Sequence, residues 1–168
     1  SDRHAHDRLD AGQRAWLGSL PATLWLDDDV FLCHGTPSDD LEYFLEDVGE
    51  TGAHIAPIER IRQRLGDVRA RVTLCGHTHI QRAVRLDDGR LVVNPGSVGL
   101  QAFEWDRPVP HTMQMHTPHA RYAVLERSAG DWSIDLVSLA YDWKLAARQA
   151  ERHERPEWAH ALRSGRMA

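Results

Sequence analysis

The sequence predicts an α/β domain. Two short apolar runs, Val30-Phe31-Leu32-Cys33 and Val72-Thr73-Leu74-Cys75, have the length and composition of buried strands. Segments of helical apolar spacing stand between and around them, the alternation expected of an α/β chain. Both runs end on glycine and histidine, His34-Gly35 after the first and Gly76-His77 after the second, at the strand ends where α/β proteins place ligands.

Asp10 to Leu20 reads as an amphipathic helix with Trp16, Leu17 and Leu20 on one side, closed by Pro21. Thr23 to Leu26 and Val30 to Cys33 form a strand pair around the Asp27-Asp28-Asp29 turn. Ser38 or Asp39 is placed to cap a short helix bearing Leu41, Phe44 and Leu45. Pro57 sits at the first turn of another helix that runs to Leu65 and stops at Gly66. After the strand ending at Cys75, Ile80 to Leu86 and Leu91 to Val93 read as a hairpin about Asp87-Asp88-Gly89. Pro108 to His119 reads as a loop, and Tyr122 to Leu125 and Trp132 to Leu139 as a further strand pair around Gly130. Helices close the chain at Tyr141 to Arg152 and Glu157 to Arg163, interrupted at Pro156.

With 168 residues and 42 % hydrophobic content, the chain carries enough apolar material for one core, so a single domain over 1–168 is expected. No apolar run approaches the ~20 residues of a membrane span. No basic segment followed by an apolar one opens the sequence, so the expected address is cytoplasmic. The net charge of −5 is dispersed and no Lys/Arg cluster stands out, which argues against non-specific nucleic-acid binding. Cys33 and Cys75 both lie in strand-like runs and read as buried free thiols.

Among the 11 histidines, His34, His77 and His79 alone follow buried strands. If the two strands are sheet neighbours, their ends bring three imidazoles to one rim. In an extended segment residues i and i+2 face the same side about 6.5 Å apart, so His77 and His79 face one site. That separation suits two metal ions ~3.5–4 Å apart better than chelation of one. A bare His-x-His is more often a surface or satisfied core pair, and the neighbouring Gly76 and the matching His34-Gly35 tip the reading toward a metal centre.

Cys33-His34-Gly35, Gly76-His77-Thr78-His79 and Asn94-Pro95-Gly96-Ser97-Val98-Gly99, in this order and spacing, resemble the last three signature blocks of the calcineurin-like metallophosphoesterases of the small bacterial phosphodiesterase type. Tyr141-Asp142-Trp143 and Trp158 to Leu162 resemble the C-terminus of the same subgroup. The resemblance implies a four-layer αββα sandwich with mixed sheets, of which this chain is the C-terminal portion. It implies metal-dependent hydrolysis of phosphodiesters or phosphomonoesters at a dinuclear centre of manganese, iron or zinc. His34 and His77 ligate the second metal in this reading and His79 the first, whereas Asn94 and Gly96 shape the adjacent loop.

Three further blocks of that family, an Asp-x-His, a Gly-Asp and a Gly-Asn-His, have no counterpart in context here. Asp2-Arg3-His4 matches the first in letters, but no apolar strand precedes it. Three neutral imidazoles cannot hold two divalent cations close together without an anionic bridge, so the chain alone is expected to be inactive and to hold at most one ion weakly. The expected partners are a small phosphoester and a missing N-terminal half, either cleaved yet still packed here or absent.

Two other readings compete. A non-catalytic scaffold that keeps the phosphoesterase fold would explain the missing carboxylates but has no need of three rim histidines. A cysteine phosphatase with Cys75 as nucleophile and Arg82 as phosphate clamp has six intervening residues where its loop needs five. His4, His6, His54, His153 and His160 read as solvated or locally bonded. His111, His116 and His119 lie in the Pro-rich stretch, which places one of them to overhang the site and touch substrate.

Overall fold

The computed structural model describes residues 2–168; Ser1 and the side chains of residues 2–4, including the Asp2-Arg3-His4 match, lie outside it. The chain opens with helices α1 (Asp2–Arg8) and α2 (Ala11–Ser19). Asp10 caps α2 by a reciprocal pair of bonds: its carboxylate accepts from Gln13 N at 2.8 Å, and the Gln13 side chain accepts from Asp10 N at 2.9 Å. No residue of α2 is buried, so the predicted apolar side packs against nothing described here.

Strands β1 (Leu24–Trp25) and β2 (Val30–Leu32) pair antiparallel. Asp27 makes the turn between them, accepting from both Asp29 N and Val30 N at 2.8 Å. The next segment overturns an expectation: residues 38–45 form no helix, and β3 (Glu46–Gly49) and β4 (Gly52–Ile55) follow as a hairpin. Side chains have captured the backbone there. Asp39 N donates to the Thr36 hydroxyl at 3.1 Å and Leu41 N to the Asp39 carboxylate at 2.8 Å, bonds that compete with helix formation.

Helix α3 (Ile58–Leu65) begins after Pro57 and ends at Gly66, as its punctuation predicts. Strands β5 (Val72–Leu74), β6 (Arg82–Arg85) and β7 (Leu91–Asn94) complete a five-stranded mixed sheet of order β1-β2-β5-β7-β6. Its central strands β2, β5 and β7 are parallel, with Val30 opposite Val72 and Val72 opposite Leu91. Beyond it lie β8 (Ala102–Trp105) and β9 (His111–Gln114), an antiparallel pair, so part of the stretch expected to be loop is strand. The alternation that buries His111 and Met113 was masked by flanking prolines and by a polar residue on the buried face.

Strands β10 (Ala120–Ser128) and β11 (Asp131–Leu139) make a long hairpin, and α4 (Trp143–Arg152) and α5 (Pro156–Ser164) pack together through Ala147, Ala159 and Leu162. The pleat of β7 divides the core. Val92 faces Ile61 and Leu65 of α3, while Leu91 and Val93 face Ala123, Leu125, Trp132 and Ile134 of the long hairpin. Each fully buried aliphatic side chain contributes about 1.5–3 kcal/mol through this burial. The parallel strands are therefore clamped on both faces, and their C-terminal ends open at one rim. No helix among the described residues is long and apolar enough to cross a membrane.

Candidate metal centre

Parallel pairing continues past the strand ends. Cys33 N donates to Leu74 O at 3.0 Å and Gly76 N to His34 O at 2.8 Å, which sets the two post-strand segments side by side. The His34 and His77 rings consequently lie 5.1 Å apart, centroid to centroid, at a tilt of 54°. Glycine is required beside them. A Cβ at Gly35 would meet the carbonyl oxygens of Asp39 and Glu42 at 2.6 Å and of Asp40 at 2.7 Å, so only a bare Cα lets that loop close under His34.

His77 and His79 do not lie in an extended segment. Both have left-handed backbones, with φ of 56° and 58°, an uncommon conformation for residues with side chains. Asn94, buried at the end of β7, supports this turn. Its amide nitrogen donates to Gly76 O at 2.6 Å and to the Thr78 hydroxyl at 2.9 Å, and its oxygen accepts from Gly96 N at 2.9 Å. Strain of this kind persists only where surrounding bonds over-determine it.

The ring nitrogens are differentiated. His77 Nε2 lies 3.1 Å from Leu41 O and His79 Nδ1 lies 2.8 Å from Leu100 O. A carbonyl oxygen accepts only from N–H, so His77 keeps a lone pair on Nδ1 and His79 on Nε2, the arrangement of a carbonyl-oriented metal ligand. Burial, and next to it the His34 imidazole, lowers the His77 pKa against the pull of Leu41 O and Asp40. Burial likewise lowers that of His79, so both are neutral donors at neutral pH. His79 stacks edge-on against Phe103 at 5.2 Å. The His34 and His77 rings are thus brought together and His79 stands within electrostatic reach, yet among the described residues no three His, Cys, Asp or Glu side chains converge closely enough to hold an ion. The donor chemistry fits one borderline-soft divalent ion and lacks the anionic bridge for two.

Tyr43 and Glu46 were not legible as neighbours of this rim. The Tyr43 ring stands edge-on to His77 at 5.1 Å and its hydroxyl lies 2.9 Å from His111 Nε2. His111 Nδ1 lies 2.7 Å from Val109 O, so it carries the proton and Tyr43 is the donor to Nε2. Burial, and then Glu46, pushes the Tyr43 pKa up to about 12, which keeps that hydroxyl protonated. Glu46 is 2 % exposed and bonds Arg82 Nε through one oxygen at 3.1 Å. The Thr78 hydroxyl lies close enough to draw the Glu46 pKa down, but no donor completes a hydrogen bond to Oε2 in distance and angle.

Among the histidines placed to overhang the site, only His111 connects to it, and it does so through Tyr43. His119 packs against Trp143 at 5.4 Å, and His116 N bonds Gly165 O in a left-handed turn. The cysteine reading fails structurally: burial pushes the Cys75 thiol well above its ordinary value, and Arg82 is held by Glu46.

A model of the calcineurin-like phosphoesterase superfamily domain matches residues 6–120, more than half of the chain. The protein belongs to the calcineurin-like phosphoesterase superfamily. No curated protein matches the sequence. Among solved structures it is similar to a metallophosphoesterase from Sphaerobacter thermophilus, at 20 % identity and a TM-score of 0.70, covering 95 % of this chain and 64 % of that one. A hypothetical protein from Pyrococcus horikoshii OT3 is similar at 19 % identity and a TM-score of 0.67, covering 96 % of this chain and 57 % of the other. This chain therefore spans less than two thirds of the length of either protein, and at these identities the likeness is one of fold.

Proposed function

We propose that this chain is the histidine-bearing part of a metal-dependent phosphoester hydrolase, with His34, His77 and His79 as its contribution to a dinuclear centre. The adjacency of the His34 and His77 rings at the common rim of two parallel strands carries this reading. Family membership supports it. In this reading the chain is the C-terminal portion of one four-layer domain whose other strands supply the carboxylates. Bound divalent ions, manganese, iron or zinc, would neutralise charge on the phosphoryl oxygens and lower the pKa of water.

The chain's own residues prepare for this. Leu41 O and Leu100 O orient two imidazoles, burial keeps them deprotonated, and Asn94 holds the turn that carries them. The physiological setting proposed is a cytoplasmic one with a small phosphoester as substrate. Elemental analysis of the intact protein, carrying the strands that supply the carboxylates, paired with hydrolysis of bis(4-nitrophenyl) phosphate, tests the assignment. Stoichiometric metal and turnover lost in His77→Ala are expected. Metal-free, inactive protein that still captures a partner would replace the reading with the scaffold.

A further inference from the structure

Thr78 stands between the two left-handed histidines and is 1 % exposed. Its hydroxyl oxygen already accepts twice, from Asn94 Nδ2 at 2.9 Å and from Ile80 N at 3.4 Å. Both lone pairs are taken, so the hydroxyl has only its hydrogen left to offer. The carboxylate of Glu46 lies beside it. One oxygen of that carboxylate is engaged by Arg82, whereas Oε2 is buried with no donor completing a bond to it. A spare donor and a spare acceptor therefore share one dry spot, where leaving either unpaired costs free energy.

Glu46 also belongs to the stretch of chain that meets the histidines elsewhere. Leu41 O accepts from His77 Nε2 and the Tyr43 ring packs on the same imidazole. Arg64 of α3 holds this stretch by donating to Phe44 O at 3.3 Å and to Glu46 O at 3.2 Å. Thr78 is thus reached from β7 by a donor, Asn94, and from the start of β3 by an acceptor, Glu46.

We propose that Glu46 is a positioning residue of the metal centre: its free carboxylate oxygen takes the Thr78 hydroxyl hydrogen and, together with Asn94, fixes the turn that carries His77 and His79. A left-handed backbone at two successive histidine positions relaxes unless its surroundings hold it from more than one direction. Asn94 restrains the Thr78 oxygen, and Glu46 fixes the direction in which the hydroxyl points. Glu46 itself touches neither ion nor substrate. The assignment rests on the phosphoesterase reading for what the imidazoles hold, but not for the brace.

Long-range proton–nitrogen NMR of the intact protein, freed of metal, reads the tautomer of each ring. In the wild type His79 carries its proton on Nδ1 and His77 on Nε2, as their carbonyl partners require. Thr78→Val keeps the side-chain shape without the hydroxyl, and Glu46→Met fills the same buried space without oxygens. Each is expected to return His79 to a mixture of tautomers and to weaken zinc binding about tenfold in equilibrium dialysis. Thr78→Ser and Glu46→Gln, which keep the hydroxyl and an acceptor oxygen, should preserve the wild-type signals.

His111 is the internal control, since Tyr43 and Val109 set its tautomer. A His111 change in step with His79 marks general loosening and overturns the assignment. So does a His79 signal that moves in Thr78→Val but not in Glu46→Met, which leaves Asn94 as the whole brace. Should Glu46→Met not fold, the carboxyl carbon shift of Glu46 in Thr78→Val decides: displacement from the wild-type value is expected, and an unmoved shift overturns the bond. Wild-type protein that takes up no zinc while the tautomers respond defeats the phosphoesterase reading alone; zinc uptake equal in Glu46→Met and wild type defeats the brace alone.

Discussion

Tyr43 donates its hydroxyl to His111 across 2.9 Å, joining the segment between β2 and β3 to the first residue of β9, 68 residues later. The same phenol ring leans on His77. His111, itself buried, therefore holds in place the side chain that packs on a candidate ligand.

His111→Ala leaves the Tyr43 hydroxyl without its acceptor and should cost about 1–3 kcal/mol. Thermal denaturation should show a fall of several degrees, at roughly 2–4 °C per kcal/mol for a chain of this size. An unchanged melting temperature would show that the bond carries no stability.

Asn94→Ala removes the two bonds that brace the turn of the left-handed histidines and a third to Gly96 N in its own loop. Affinity for zinc or manganese should drop ~10–100-fold, the range seen when groups supporting a metal ligand are lost. Equilibrium dialysis measures it. Wild-type affinity in this variant would show that the turn holds its shape unaided.

Burial raises the Glu46 carboxyl above its ordinary 4.5 despite the opposing pull of Arg82. The native state then holds a proton that the unfolded chain has released, so the residue's contribution is complete below pH 4.5 and declines as pH rises through the elevated native value. Glu46→Gln does not titrate. Its stability relative to wild type should accordingly grow with pH above 4.5, as read from urea midpoints at several pH values. Parallel curves for the two proteins would refute the shift.

Gly35→Ala drives a methyl group into three carbonyl oxygens and should destabilise by about 1–3 kcal/mol. Gly18, on exposed helix α2 with nothing near its would-be Cβ, provides the opposite case. Gly18→Ala should stabilise by up to ~1 kcal/mol. Denaturant midpoints that move the same way for both would contradict the assigned surroundings.

Cys33, pushed up to about 12 by burial, and Cys75, which burial also raises well above its ordinary value, should resist iodoacetamide at pH 8 in the folded protein. Mass spectrometry before and after denaturation reports the labelling. Rapid native alkylation of Cys75 would reopen the thiol chemistry rejected above.

Much of the fold was legible because local signals were strong enough to set its elements. Asp10 with Gln13 marks the start of α2, Pro57 and Gly66 bracket α3, and the alternation from Tyr122 to Leu139 forms a real hairpin. The failures occurred where side chains overrode propensity. Thr36 and Asp39 bind the backbone and prevent the helix expected at 38–45, and a buried polar His111 disguises the strand it belongs to. At the rim, position in the sequence was informative but conformation was not. His34 and His77 could be located because they follow paired strands, whereas the left-handed turn depends on Asn94, 17 residues beyond His77, and no pattern local to 77–79 encodes it. Tyr43 and Glu46 carried no signal, since their importance arises from packing between distant segments.

The register of β2 against β5 joins residues 30–32 to residues 72–74, a non-local closure that costs loop entropy to form. His34 and His77 are strangers until it does. Under the proposed function, cation uptake would therefore report on that pairing, and a chain arrested before it would expose single imidazoles with no more appetite for metal than free histidine.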